Sequence, residues 1–297
     1  MRFLAQAGFD VFTMDLQGYG LSARPKMHDP CNTSLSDQQL YLIPTPLSGP
    51  CPPSYPFNLT SIQTDWDEID TVVDYIRALR GVDRVSIIGW SRGGPRVGGY
   101  VARHADKIHR AVFYAPAYNR LAPDDPPEDL PHTGVPMNVL GREHFHDLWD
   151  TMVHCENQFA LRIRDVISTT MLAFDPLGSV WGTAGVRRAP NWNTPHGFPF
   201  WGWNASFAAR IEVPALLIRG DLDTQVPEPD VRALYADLGS PEKVFVHVAC
   251  ASHYLVWEKQ HMILLRASIE WLRHGTCHGQ DTGSFAVDTS GNVHPDN

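Results

Sequence analysis

The sequence predicts an α/β fold: an open, mostly parallel sheet with helices on its faces. Three features predict it. The apolar run Val85-Ser86-Ile87-Ile88 leads straight into Gly89-Trp90-Ser91-Arg92-Gly93. A second run, Pro214 to Arg219, is followed by Asp221 and Asp223, and a third, Lys243 to Val248, is followed by His253. Open α/β sheets carry their sites on loops after the carboxyl ends of strands, which is where these polar residues fall.

The elements follow in order. Residues 1–8 read as the end of a helix and 9–15 as a strand. After Pro25 periodicity is lost until about Phe57, and the density of Pro, Ser and Asn marks an extended loop. Thr60 or Ser61 offers an N-cap for a helix in which Trp66, Ile69, Val73, Ile76 and Leu79 recur at helical spacing. Asp65, Asp67 and Glu68 suit its positive end, and Gly81 ends it. The strand from Val85 should feed a helix over 96–104, with Gly98 and Gly99 allowing close packing on the sheet. Residues 111–115 form the next strand. Far more residues separate Ser91 from Asp223 than two strand–helix units need, so 119–205 reads as an insertion. The expected organisation is a core from 1–118, a cap over 119–205, more core over 206–274 and a polar tail over 275–297. Within the tail, 284–293 suit a small hairpin around Ser290-Gly291.

A serine hydroxyl is a weak nucleophile unless it is held in the open beside a base. A sharp turn from strand to helix lifts Ser91 above the sheet edge, and Gly89 and Gly93 are expected to flank it because larger side chains would collide there. The backbone N–H of Arg92 would face an oxyanion forming on a bound substrate. His253 is the candidate base and Asp223 its orienting acid, with Asp221 as the alternative.

With these motifs in place the chain resembles the α/β-hydrolase superfamily. Gly89-Trp90-Ser91-Arg92-Gly93 is similar to its nucleophile elbow, 220–227 to its acid loop and 251–258 to its histidine loop. The stretch from Asp15 to Pro25 resembles the segment after its fourth strand. The likeness covers 1 to about 122 and about 205 to 274. It implies an α/β-hydrolase sheet with flanking helices and an inserted cap, with Ser91 as nucleophile, His253 as general base and then acid, and Asp223 as orienting carboxylate. It also implies three strands ahead of 9–15, the third followed by a His-Gly motif that donates a second oxyanion hydrogen bond. The sequence holds no such segment, so the expectation is an N-terminally truncated fold that folds poorly or hydrolyses slowly. The internal His196-Gly197-Phe198-Pro199 has no apolar strand before it and reads as a decoy.

Composition narrows the partners. The formal charge of −9 over 297 residues disfavours nucleic acid and anionic membranes. No apolar run approaches a transmembrane span. There is no Gly-rich dinucleotide fingerprint, so no cofactor is expected. His144, His146, His154 and Cys155 lack a metal-binding signature and read as ordinary surface residues. Cys31 and Cys51 bracket the long loop, either as a disulfide that staples it or as free thiols. Asn32-Thr-Ser, Asn58-Leu-Thr and Asn204-Ala-Ser match glycosylation acceptors, leaving cytoplasmic and secreted locations both open. Oligomeric state is not legible.

The insertion carries Trp149, Trp181, Trp192, Trp201 and Trp203, with Phe198 and Phe200. These aromatics either roof an apolar pocket or pack the insertion onto the core. Trp90 and Tyr19 are the expected substrate contacts. The expected function is hydrolysis of a carboxylic ester bond in an apolar small molecule. The resemblance extends loosely to aminopeptidases that release N-terminal proline and to cofactor-free haloperoxidases. An aminopeptidase would need an anionic cap group, with Glu143, Asp147 and Glu156 available. From another class, the alternative is a non-catalytic binding fragment.

Overall fold

Apolar runs become strands where they find partners. The computed structural model describes residues 2–124, 131–192 and 200–296. Its strands are β1 (Val85–Trp90), β2 (Ile108–Tyr114), β3 (Met137–Gly141), β4 (Val186–Pro190), β5 (Ala215–Gly220), β6 (Lys243–Val248), β7 (Gly283–Val287) and β8 (Val293–Pro295). Six form one sheet in the order β1-β2-β5-β6-β7-β8, and β3 and β4 pair separately. The ladder is parallel from β1 to β7, and β8 closes it antiparallel. Every residue of β5 is buried, as its uninterrupted apolar run requires in a strand covered on both faces. β1 borders the sheet, and Ile88 is 44% exposed. The sheet is thus the mostly parallel, helix-flanked α/β sheet that the sequence predicts.

Residues 9–15 depart from expectation. They form no strand and join no ladder. Their contacts are side-chain contacts instead: Phe9 and Val11 pack on the core cluster of one sheet face and Met14 on that of the other. Just beyond, the Gln17 N–H donates to Glu68 (2.9 Å). At the other end, the polar segment after Gly275 contributes β7 and β8. Asp288 shapes their turn by accepting from the Ser290 and Asn292 N–H groups (2.8 and 2.9 Å).

The helix Ile62–Arg80 starts at Ser61, whose hydroxyl accepts from Thr64 N–H (3.2 Å) while Thr64 Oγ1 accepts from Ser61 N–H (2.9 Å). Gly81 ends it at φ 62°, the left-handed conformation glycine adopts without steric cost. After the elbow, the expected helix over 96–104 is displaced and short. A wide π-type turn spans Gly94–Gly98 and an α-helical turn spans Gly99–Val101. Its glycines do serve close packing, but on indoles rather than on the sheet. A Cβ at Gly98 would lie 2.1 Å from the Trp203 ring, and one at Gly99 would lie 2.5 Å from Trp66.

The long loop lacks periodicity, yet it is built. Gln38 is fully buried, donating to the carbonyls of Cys31, Thr33 and Cys51 while its Oε1 accepts from Cys51 N–H. Cys31 and Cys51 form a disulfide. Met27 and Leu42 pack with Met137, Val139, Trp181 and Val186, so the loop shares a core with the β3–β4 hairpin. Asn32, Asn58 and Asn204 are buried at 1%, 4% and 4% exposure, which overturns their reading as glycosylation acceptors. Asn32 Oδ1 accepts from Tyr55 N–H, and Asn204 caps the helix Ala205–Ala208. A glycan at any of these sites would be incompatible with the packing. Among the described residues no helix is long and apolar enough to cross a membrane.

Because the Gly98 position is filled by a rigid indole, Gly98→Ala should destabilise the protein by about 1–3 kcal/mol, read by urea unfolding.

Candidate active site

The β1 strand delivers Ser91 into the left-handed region, at φ 57°. For a residue with a Cβ this conformation costs about 1–3 kcal/mol and persists only where the surroundings impose it. Here they do. Ser91 N–H donates to the Tyr114 carbonyl at the end of β2 (3.0 Å), and the Ser91 carbonyl accepts from Ala117 and Gly94 N–H (3.0 and 2.8 Å). Gly89 is sterically required, since its Cβ would sit 2.7 Å from the Gly93 carbonyl oxygen. Gly93 is not: a Cβ there meets nothing within 4 Å. The crowded second glycine is Gly94, whose Cβ would lie 2.6 Å from the Ala117 oxygen. The helix passes closest to its neighbour one residue later than the motif suggests.

The β5 and β6 loops bring Asp223 and His253 together, with Oδ2 2.8 Å from Nδ1 and both side chains almost fully buried. Asp223 Oδ1 accepts from the N–H groups of Gln225 and Val226 (2.8 and 2.9 Å), which fixes the carboxylate. Asp221, the alternative acid, turns instead toward His247, 3.8 Å away, with its side chain 44% exposed. Among the described residues the Ser91 hydroxyl makes no hydrogen bond, to His253 or to any other group.

The serine and histidine loops are joined through the His253 carbonyl. It accepts from Trp90 Nε1 (3.1 Å) and from the Tyr114 hydroxyl (2.7 Å). Burial, then the Asp223 and Glu258 charges, hold the Tyr114 phenol well above its ordinary pKa, so it stays a donor. Trp90 stacks on Tyr114 and meets the His253, Tyr254 and Trp257 rings. It therefore supports the histidine loop as well as flanking Ser91.

Sequence reasoning missed two fasteners. Glu258, 1% exposed, accepts from Ser252 N–H and hydroxyl (2.7 and 2.6 Å) and from Trp149 Nε1 and Gln158 Nε2 (both 2.9 Å). One carboxylate thus ties the β2–β5 insertion to the residue before His253. Its signal was present: a charged residue directly after the apolar run Tyr254 to Trp257 needs donors if it is buried. The second fastener is the Cys155–Cys250 disulfide, spanning 95 residues, which sequence spacing does not reveal. Cys277 is buried and free.

The other predicted residues are placed as follows. Tyr19 meets Arg96, which donates to its hydroxyl (3.2 Å) and lies over its ring. Arg96 is paired with the buried Asp65. Trp149, Trp181, Trp192 and Trp203 are buried in packing clusters. His146 meets the Ser168 hydroxyl and His144 lies edge-on to Tyr41. Phe198 and the motif at 196–199 lie outside the described residues.

A parallel sheet with a left-handed serine after one strand, and an Asp–His pair on the loops of two others, defines a class of α/β proteins built around a serine turn. The alpha/beta hydrolase fold profile matches residues 1–260, and the chain belongs to that family. A serine hydrolase from Cycloclasticus zankles is 14% identical, with a TM-score of 0.47, and the match covers 86% of this chain and 87% of that one. The carboxylesterase CesB from Bacillus subtilis is 16% identical over 74% of this chain and 69% of its own, at TM-score 0.49. A monoacylglycerol lipase from Paleococcus ferrophilus is 20% identical over 74% and 77%, at TM-score 0.43. Among curated proteins no significant sequence match was found.

Two outcomes follow for stability. Glu258→Ala strands several buried donors and should cost on the order of 3 kcal/mol, whereas Tyr114→Phe removes one of two donors to His253 and should cost about 1 kcal/mol, both by urea unfolding. Gly93→Ala should leave the melting temperature within a degree or so of wild type, while Gly89→Ala and Gly94→Ala lower it clearly, as differential scanning fluorimetry would read.

Proposed function

We propose that the protein is a serine hydrolase that cleaves a carboxylic ester bond in a small molecule with an apolar part. The observation that carries this reading is the 2.8 Å His253–Asp223 contact on loops fastened, through Trp90 and Tyr114, to the turn that holds Ser91. His253 Nε2 takes the Ser91 proton as Oγ attacks the ester carbonyl. Asp223 holds the Nδ1 proton and steadies the imidazolium. The Arg92 N–H donates to the oxyanion. His253 then protonates the leaving alcohol, and water activated by the same imidazole releases the acyl group. The open Ser91–His253 gap is compatible with this sequence, because such hydrogen bonds tighten when substrate binds. On this reading the β2–β5 insertion acts as the cap.

Among the described residues, Glu143 and Asp147 lend the aminopeptidase alternative no support. Glu143 and Asp147 line a cavity with Tyr41, Pro44 and Gly182, and none of its walls comes from the Ser91 or His253 loops.

A fluorophosphonate probe should label the wild-type protein and not Ser91→Ala. With p-nitrophenyl esters of graded chain length, Asp223→Asn should lower kcat on the order of ten-thousand-fold. Absence of labelling in a folded wild-type sample would refute the activated serine.

A further inference from the structure

Arg187 stands on β4 directly opposite Leu140 of β3. Residues paired across an antiparallel ladder send their side chains to the same face. Leu140 packs against the cluster of Phe145, Trp149, Met152, Ile167 and Tyr254, on which Trp90 also packs, so this face of the hairpin is turned toward the cluster that includes the neighbour of His253. Arg188 leaves by the other face, where it is buried against Asp175. Arg187 is exposed and, among the described residues, has no carboxylate, hydrogen bond or ring contact. Its neighbours in the insertion differ: Arg142 pairs with Asp165 and Arg164 with Asp150. With 33 acidic residues against 24 basic ones, an arginine is not left alone for want of carboxylates.

The charge of Arg187 reaches both sides of the site. Arg92 directly follows Ser91, and its side chain reaches solvent although protein atoms crowd it. That desolvation, and then Arg96 and Arg187, push its pKa down against the opposing pull of Tyr19. At Tyr254, next to His253, burial raises the phenol pKa while Arg187 works against the rise. Arg96 is already matched by Asp65, so its charge is locally compensated. A planar fork with no partner matches one carboxylate.

We propose that Arg187 forms a carboxylate subsite, so that the substrate is an ester whose anionic end lies under the β3–β4 hairpin while its scissile bond meets Ser91. This deepens the ester-hydrolase reading and rests on it. A single uncompensated guanidinium suits a monoanion better than a phosphate dianion.

The test separates binding from turnover. Ser91→Ala protein is titrated with monomethyl glutarate and with neutral dimethyl glutarate, followed by tryptophan fluorescence at low salt. The monoester should bind about tenfold to a hundredfold more tightly. That advantage should vanish in Ser91→Ala/Arg187→Gln, return in part with Arg187→Lys and persist with Arg142→Gln. Equal affinity for the two esters, including no detectable binding of either, overturns the subsite, as does an advantage that survives Arg187→Gln. Inorganic phosphate that displaces the monoester better than acetate does overturns the carboxylate assignment. If the preference stands but wild-type protein hydrolyses neither mono-p-nitrophenyl glutarate nor p-nitrophenyl valerate, the hydrolase reading fails and the subsite remains.

Discussion

Tyr114, the last residue of β2, holds the serine and histidine loops to one rim. Its carbonyl receives the Ser91 N–H and its phenol donates to the His253 carbonyl. Its ring backs Trp90, the second donor to that same oxygen. β2 lies between β1 and β5, the strands that lead to Ser91 and to the Asp223 loop. Any shift of β2 against its neighbours would therefore move all three side chains at once. Burial keeps the phenol protonated, so the link does not depend on pH in the range where a histidine titrates.

The rest of the molecule is organised around a few buried polar nodes. Gln38 gathers the backbone of the long loop, Arg188 and Asp175 pair beneath the β3–β4 hairpin, and Glu258 joins the insertion to the histidine loop. A buried ion or amide is costly unless all its bonding capacity is met, so each node admits few arrangements of the segments around it. Hydrophobic clusters hold these segments together without fixing their orientation. The polar nodes supply that orientation.

Much of this was legible in the sequence, for definable reasons. The strands around Val85, Ala111, Ala215 and Lys243 were visible because each carries a short apolar run rich in strand-forming residues and leading into a turn. The Ser61 cap and Gly81 stop were visible because helix ends place strict demands on single residues. The approach of Asp223 to His253 was legible because polar residues after parallel strands fall at one end of the sheet. Residues 9–15 failed as a strand because apolar content says nothing about whether a partner edge is adjacent. Gly93 and Gly94 were exchanged because steric need depends on what passes nearby. Arg187 and the Cys155–Cys250 pair were invisible because each acquires its meaning from residues far away in the chain.

The Cys155–Cys250 bond has a mechanical consequence. Cys250 lies on the same loop as His253, and Glu258 clasps the adjoining backbone from the same direction. The segment between β2 and β5 is therefore tied covalently to the loop that carries the imidazole, and the two cannot part by more than the length of that bridge.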